Sequence, residues 1–85
     1  MAIVIVEVMP KRELLDPAGK AVLNAFHRAG IDGFAEVRIG KRFELHVEGS
    51  ATEAHVNQAK KMAEELLSNG VIENVIDIRV EDSPA

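Results

Sequence analysis

The stretch Phe34-Ala35-Glu36-Val37-Arg38-Ile39-Gly40-Lys41-Arg42-Phe43-Glu44-Leu45-His46-Val47-Glu48 holds two alternating runs about a short basic link. Ala35, Val37 and Ile39 share one face of the first run, with Glu36 and Arg38 on the other. In the second, Phe43, Leu45 and Val47 oppose Glu44, His46 and Glu48. A period of two with one apolar face is the pattern of a half-buried strand. Opposite residues in an antiparallel pair share a face, so the link must hold an odd number of residues. A two-residue Gly40-Lys41 turn would set Arg38 against Phe43. A three-residue loop, Gly40-Lys41-Arg42, sets Ile39 against Phe43, Val37 against Leu45, Arg38 against Glu44 and Glu36 against His46. Opposed charges of that kind contribute ~0.2–1 kcal/mol each. The expectation is a hairpin.

On the N-terminal side, Ala2 to Met9 is rich in β-branched residues and stops at Pro10, which reads as a strand. Its faces, Ala2/Val4/Val6/Val8 and Ile3/Ile5/Glu7/Met9, are both largely apolar. Such a strand is either central or covered on its second face by another subunit. Ile3, Ile5 and Met9 are therefore the self-association candidates. A helix follows: Asp16 caps it, Pro17 suits its first position, Ala18, Val22, Ala25, Phe26 and Ala29 recur at helical spacing, and Gly30 ends it.

On the C-terminal side, Ser50-Ala51-Thr52-Glu53 matches a capping box. The second helix carries Val56, Ala59, Ala63, Leu66 and Leu67 as its stripe, with Met62 on the margin, and Gly70 closes it. A last strand lies within Val71 to Val80, with Ile76, Ile78 and Val80 inward, and residues 81–85 read as a frayed polar tail. The order β-α-β-β-α-β predicts an α+β two-layer sandwich over residues 1–85. It is ferredoxin-like, a four-stranded antiparallel sheet with both helices on one face.

Composition narrows the function. At 85 residues there is room for one domain. A domain of this size buries only about 60% of its extended-chain surface, and with three Phe and neither Trp nor Tyr its core rests on Val, Ile, Leu and Ala. Homo-oligomerisation is the expected remedy. The absence of cysteine excludes disulfides, thiolate metal sites and a cysteine nucleophile. A net charge of −4 and a wet sheet face without aromatics argue against nucleic acid. No apolar run is long enough for a membrane span and no leader opens the sequence given, so a cytoplasmic location is expected.

His27, His46 and His55 have no metal-ligand spacing, no phosphate-binding glycine motif is present, and no nucleophile–base pair is suggested, so no catalytic, cofactor or metal residue is assigned. Two features stand out. Asp16-Pro17-Ala18-Gly19-Lys20 gives the first helix a bare opening turn, although Gly in a helix costs ~1 kcal/mol relative to Ala. Gly19 either contacts a neighbouring strand or leaves the turn open to another chain or an anion. The second is the basic group Arg38, Lys41 and Arg42 in an acidic chain. The group is either an exposed, solvated turn or a docking feature in which Glu44 holds Arg38 across the strand and Lys41 and Arg42 meet an acidic partner surface. Asp16, Gly19, Lys20, Arg38, Lys41 and Arg42 are the partner-interface candidates.

The same segments carry a resemblance. Residues 15–22 (Leu15-Asp16-Pro17-Ala18-Gly19-Lys20-Ala21-Val22), 37–45, and 66–73 (Leu66-Leu67-Ser68-Asn69-Gly70-Val71-Ile72-Glu73) resemble, in order and at matching separations, three signatures of the PurS subunit family of phosphoribosylformylglycinamidine synthase. Ala18 stands where Gln is usual, and Gly70 where Pro or Thr is more familiar. The resemblance implies a small non-catalytic subunit of a purine-biosynthesis ligase. It would bridge a glutaminase, which releases ammonia, and a synthetase, which holds ATP and magnesium and activates the amide of formylglycinamide ribonucleotide. A homodimer or dimer of dimers is implied too. The alternative from another class is an ACT-like module, also β-α-β-β-α-β, that binds an amino acid between subunits; equilibrium dialysis against amino acids separates the two. An acylphosphatase-like enzyme is disfavoured, because Pro10-Lys11-Arg12-Glu13 lacks the glycines of a phosphate cradle.

Overall fold

The computed structural model describes residues 1–82. Its sheet has three antiparallel strands in the order β2-β1-β3, with β1 at Ala2–Pro10, β2 at Lys41–Val47 and β3 at Glu73–Asp82. The central place of β1 explains its two apolar faces. Val4, Val6 and Val8 form the core with Ala59 and Ala63, joined by Phe43 and Leu45 of β2 and Val75 and Ile78 of β3. On the opposite face Ile5 is fully buried and Ile3 nearly so. Ile5 stands between Glu44 and Arg79 in the ladder, and Ile3 between His46 and Glu81. The aliphatic stems of such long charged side chains shield apolar neighbours while their heads stay wet. The motive for placing Ile3 and Ile5 at a subunit contact, an uncovered second face, is therefore corrected. Met9 is half-buried, with its Sδ against Gly40.

Helix α2 runs from Glu53 to Met62 and continues as a π-helical turn over Ala63–Leu67. Small Ala59 and Ala63 let it lie close on the three valines of β1. Its cap is Thr52 rather than Ser50. The Thr52 hydroxyl accepts from the His55 N–H, and His55 Nδ1 accepts from the Thr52 N–H at 3.0 Å, so His55 takes the part expected of a Glu in a capping box. The helix ends at Ser68, whose N–H and hydroxyl both donate to the Ala63 carbonyl, at 3.0 and 2.7 Å. Gly70 lies beyond this end in open space and without positive φ. Gly70→Ala is expected to stabilise the chain by about 0.4–1 kcal/mol through the unfolded state, as read by chemical denaturation.

Three expectations need correction. A register shift between Glu7 and Val8 makes a bulge at Ile76, so Val75 faces the core and Ile76 is exposed. Glu81 and Asp82 belong to β3, paired with Ile3 and Ala2; residues 83–85 of the expected tail lie outside the described residues. The largest correction concerns the sheet. It has three strands, because residues 34–40 join no ladder and residues 36–47 contain neither turn nor bend. Gly40 runs straight on from β2 beside the end of β1, where its missing Cβ makes room for the Val8 carbonyl and Met9. An odd loop keeps the phase of alternation, and so does a straight strand: Ala35, Val37, Ile39, Phe43, Leu45 and Val47 share a face either way.

Helix α1, Pro17–Arg28, buries only Gly19 and does not share the sheet face with α2, which alone packs there. The radius of gyration is 16.2 Å, against about 12 Å for a compact chain of this length. The accessible surface is 6000 Å², where about 5,000 Å² is usual for this mass. The chain alone is open.

Candidate functional site

Asp16 sits where three segments meet. Its Oδ1 accepts from the Gly19 N–H at 2.9 Å, and its Oδ2 from the Ile39 N–H at 3.1 Å. One carboxylate thus caps α1 and ties it to the segment leading into β2. These bonds, Gly19 first and Ile39 next, hold its pKa below the ordinary carboxylate value. Gly19 is buried because the Val37 carbonyl occupies the place of a Cβ. The contact with the neighbouring segment is thus the reading realised at Gly19. The Arg38 guanidinium donates to the Pro10 carbonyl at the end of β1. Lys20 is exposed beside a cleft of about 210 Å³ that Asp16, Arg12 and Arg38 also line.

The basic residues do not form one free cluster. Arg38 is turned to Pro10 and lies 4.0 Å from Glu36, Lys41 pairs with Glu73 at 3.1 Å, and Arg42 pairs with Glu44 at 2.6 Å. Glu44 also meets His46 at 3.4 Å. The expected cross-strand pairs Arg38–Glu44 and Glu36–His46 are absent from the single chain because the hairpin is. Glu73 is held below its ordinary pKa first by the Asn69 N–H and then by Lys41.

Both lowered carboxylates give the same sign. Their folded pKa values lie below the unfolded ones, so their stabilisation is complete above the unfolded pKa, near 4, and is lost as pH falls through the folded values. Acid titration of stability should show a shallower loss for Asp16→Asn than for the parent chain. Equal slopes would deny Asp16 this part.

Sequence reasoning passed over Arg79. Its guanidinium lies 2.9 Å from Glu81, contacts Glu7 and lies 2.6 Å from Asp77, and these carboxylates, Glu81 first, raise its pKa. The signal was present as Asp77-x-Arg79-x-Glu81, three residues of one face, but its link to Glu7 depends on β1 lying alongside. Removing the cation leaves three carboxylates together, so Arg79→Ala is expected to lower the melting temperature most at low salt. A loss independent of salt would show that only the stem of Arg79 counts.

A groove of about 360 Å³ separates β2 from α2, with Leu45, Val47, His55, Ala59 and Met62 among its walls. Beyond it, Phe34 is exposed and meets Phe26 of α1 edge to face, with ring centroids 5.8 Å apart. Among the described residues no three His, Asp or Glu side chains gather to hold a metal, and no helix is long and apolar enough to cross a membrane.

Paired charges, a free strand edge and open apolar surface on a small α+β frame define an interaction domain. The family model of PurS, phosphoribosylformylglycinamidine (FGAM) synthase, matches residues 3–82. The chain is 42% identical over 74 residues to the FGAM synthase subunit PurS of Mycobacterium leprae, covering 87% of this chain and 90% of that one. It is 44% identical over 69 residues to that of Bacillus subtilis, covering 81% of each. Among solved structures, B. subtilis PurS matches with a TM-score of 0.79 at 41% identity, over 96% of this chain and 100% of that chain. Methanocaldococcus jannaschii PurS matches at 0.82 and 26%, over 98% and 99%. A chain of PurLQS from Thermotoga maritima matches at 0.73 and 26%, over 95% and 96%. This chain belongs to the PurS family of FGAM synthase subunits.

Proposed function

We propose that this chain serves FGAM synthase as its small non-catalytic subunit, bridging the glutaminase and the ATP-dependent synthetase. Glutamine-derived ammonia then converts formylglycinamide ribonucleotide to formylglycinamidine ribonucleotide on the synthetase, where ATP and magnesium are held. The family match over residues 3–82 carries this reading. It is supported by relatives described as one of the subunits of formylglycinamide ribonucleotide amidotransferase in the purine biosynthetic pathway, and as part of PurLQS. The chain acts in the cytoplasm as a homodimer or dimer of dimers. The excess surface of the single chain favours self-association, since small domains gain much of their burial between copies.

Reconstitution tests the proposal. Glutamine-dependent synthesis by the two large subunits should require this chain, while synthesis from added ammonia should need it far less. Equal glutamine-dependent rates with and without it would overturn the bridging role. Within that assay, Lys41→Gln with Arg42→Gln should lower the glutamine-dependent rate and spare the ammonia-dependent one. Both residues are exposed, and surface ion pairs contribute only about 0–1 kcal/mol, so the fold should hold. Unchanged rates would make these two cations a solvated feature of the surface.

A further inference from the structure

We propose that Asn69-Gly70 is a self-modification site. The Asn69 carboxamide is lost as ammonia, the side chain passes through a succinimide to aspartate and isoaspartate, and the isoaspartate unpins the start of β3. The site goes beyond the subunit reading and does not depend on it.

The chain has four asparagines, and only Asn69 precedes a glycine. Asn24, Asn57 and Asn74 lie within α1, α2 and β3, each followed by a residue with a Cβ, so the backbone is fixed and the next amide is screened. Asn69 and Gly70 are exposed in the link between the π-helical turn and β3. Nothing stands within 4 Å of the place a Gly70 Cβ would take. Among the described residues the Gly70 N–H donates to no protein group. The carboxamide is already turned toward it. Asn69 Oδ1 accepts from the Val71 N–H at 3.1 Å, which folds the side chain back along the Gly70 backbone. The same N–H stands where negative charge gathers on Oδ1 as the ring closes, as an oxyanion donor does.

The reaction balances with water alone. Gly70 N gives its proton to solvent base and bonds to Asn69 Cγ; the Cγ–Nδ2 bond breaks, and Nδ2 takes up a proton and leaves as ammonia. Water then opens the succinimide. Cleavage between Cγ and Gly70 N gives aspartate, and cleavage between the Asn69 carbonyl carbon and that nitrogen gives isoaspartate. One water enters and one ammonia leaves for each chain, and the net charge moves one unit below −4. The two products differ in the main chain. The Asn69 carbonyl accepts from the Ile72 and Glu73 N–H groups at 2.9 and 2.7 Å. In isoaspartate that carbon is a free carboxylate off the chain, which now runs through Cβ and Cγ and is one carbon longer. The turn is thereby spaced out just before Glu73, which enters the ladder opposite Pro10, and Ile72, whose carbonyl accepts from the Lys11 N–H at 2.9 Å.

The full chain is incubated at mildly alkaline pH and compared with fresh chain by ion exchange, intact mass and peptide fragmentation. The expected result is a more acidic form, one mass unit heavier, with the change at Asn69 and methyl transfer to that position by protein isoaspartyl methyltransferase. Gly70→Ala, in which a Cβ restricts the backbone and crowds the approach, should form it about tenfold more slowly. The isoaspartyl form should melt below fresh chain, and Asn69→Asp, which keeps the main chain, should melt nearer to it. Modification no faster at Asn69 than at Asn24, Asn57 or Asn74, or an equal rate in Gly70→Ala, would overturn the site. Isoaspartate confined to Asp32-Gly33, which forms with no change of mass, would overturn it too. An isoaspartyl form that melts with the fresh chain would overturn the unpinning of β3.

Discussion

Ile5→Ala should cost the fold about 2–5 kcal/mol, the range for truncating a fully buried Ile. Ile5 has no exposed surface in the single chain. A domain of this size has roughly 4–13 kcal/mol of stability in all, so the variant should stand near its unfolding threshold at 37 °C. The loss should appear in denaturant unfolding whatever the protein concentration, because the cavity lies between Glu44 and Arg79 of the same chain. A loss that vanished as the chain was diluted would instead place Ile5 in a subunit interface. A loss below about 0.5 kcal/mol would show that the charged stems over it collapse into the space.

The second large effect is expected at Gly19. A Cβ there would meet the Val37 carbonyl, which is backbone, and Asp16 Oδ2 at 2.9 Å. Backbone does not yield as a flexible side-chain end does, so Gly19→Ala should cost about 1–3 kcal/mol by overpacking. The strain falls on the junction between α1 and the segment before β2, while the core under α2 is untouched. The variant should therefore lose self-association and glutamine-dependent synthesis more than it loses sheet structure by circular dichroism. Gly33→Ala is the control, since Gly33 has open space about it and no positive φ. If Gly19→Ala matched Gly33→Ala in melting temperature and in assembly, the close approach at Val37 would have no consequence.

Several elements were legible in the residues alone. Asp16 and Pro17 mark the start of α1, and Gly30, at φ 82°, marks its end, because capping is settled within one turn of chain. The two-faced apolar run at residues 2–9 read as a strand that is either central or covered by another subunit, and the structure makes it central. The three family signatures were readable too, and one family model spans them. At the site, the tie between Gly19 and a neighbouring segment was one of two open readings. The roles of Arg38 and Arg79 were not accessible, because Pro10 and Glu7 are remote in sequence from the groups they receive.

The tertiary structure decided the direction of the chain at Gly40. Alternation records only which side chains share a face, and that parity is the same for a three-residue reversal and for a straight strand. The choice depends on what lies beside Gly40, namely the Val8 carbonyl and Met9 at the end of β1, more than thirty residues earlier. The bulge at Ile76 likewise answers to the register with β1. Local pattern thus determined which residues share a face and where the first helix begins. Packing of distant segments determined the path of the chain, and with it which strand edge stays open.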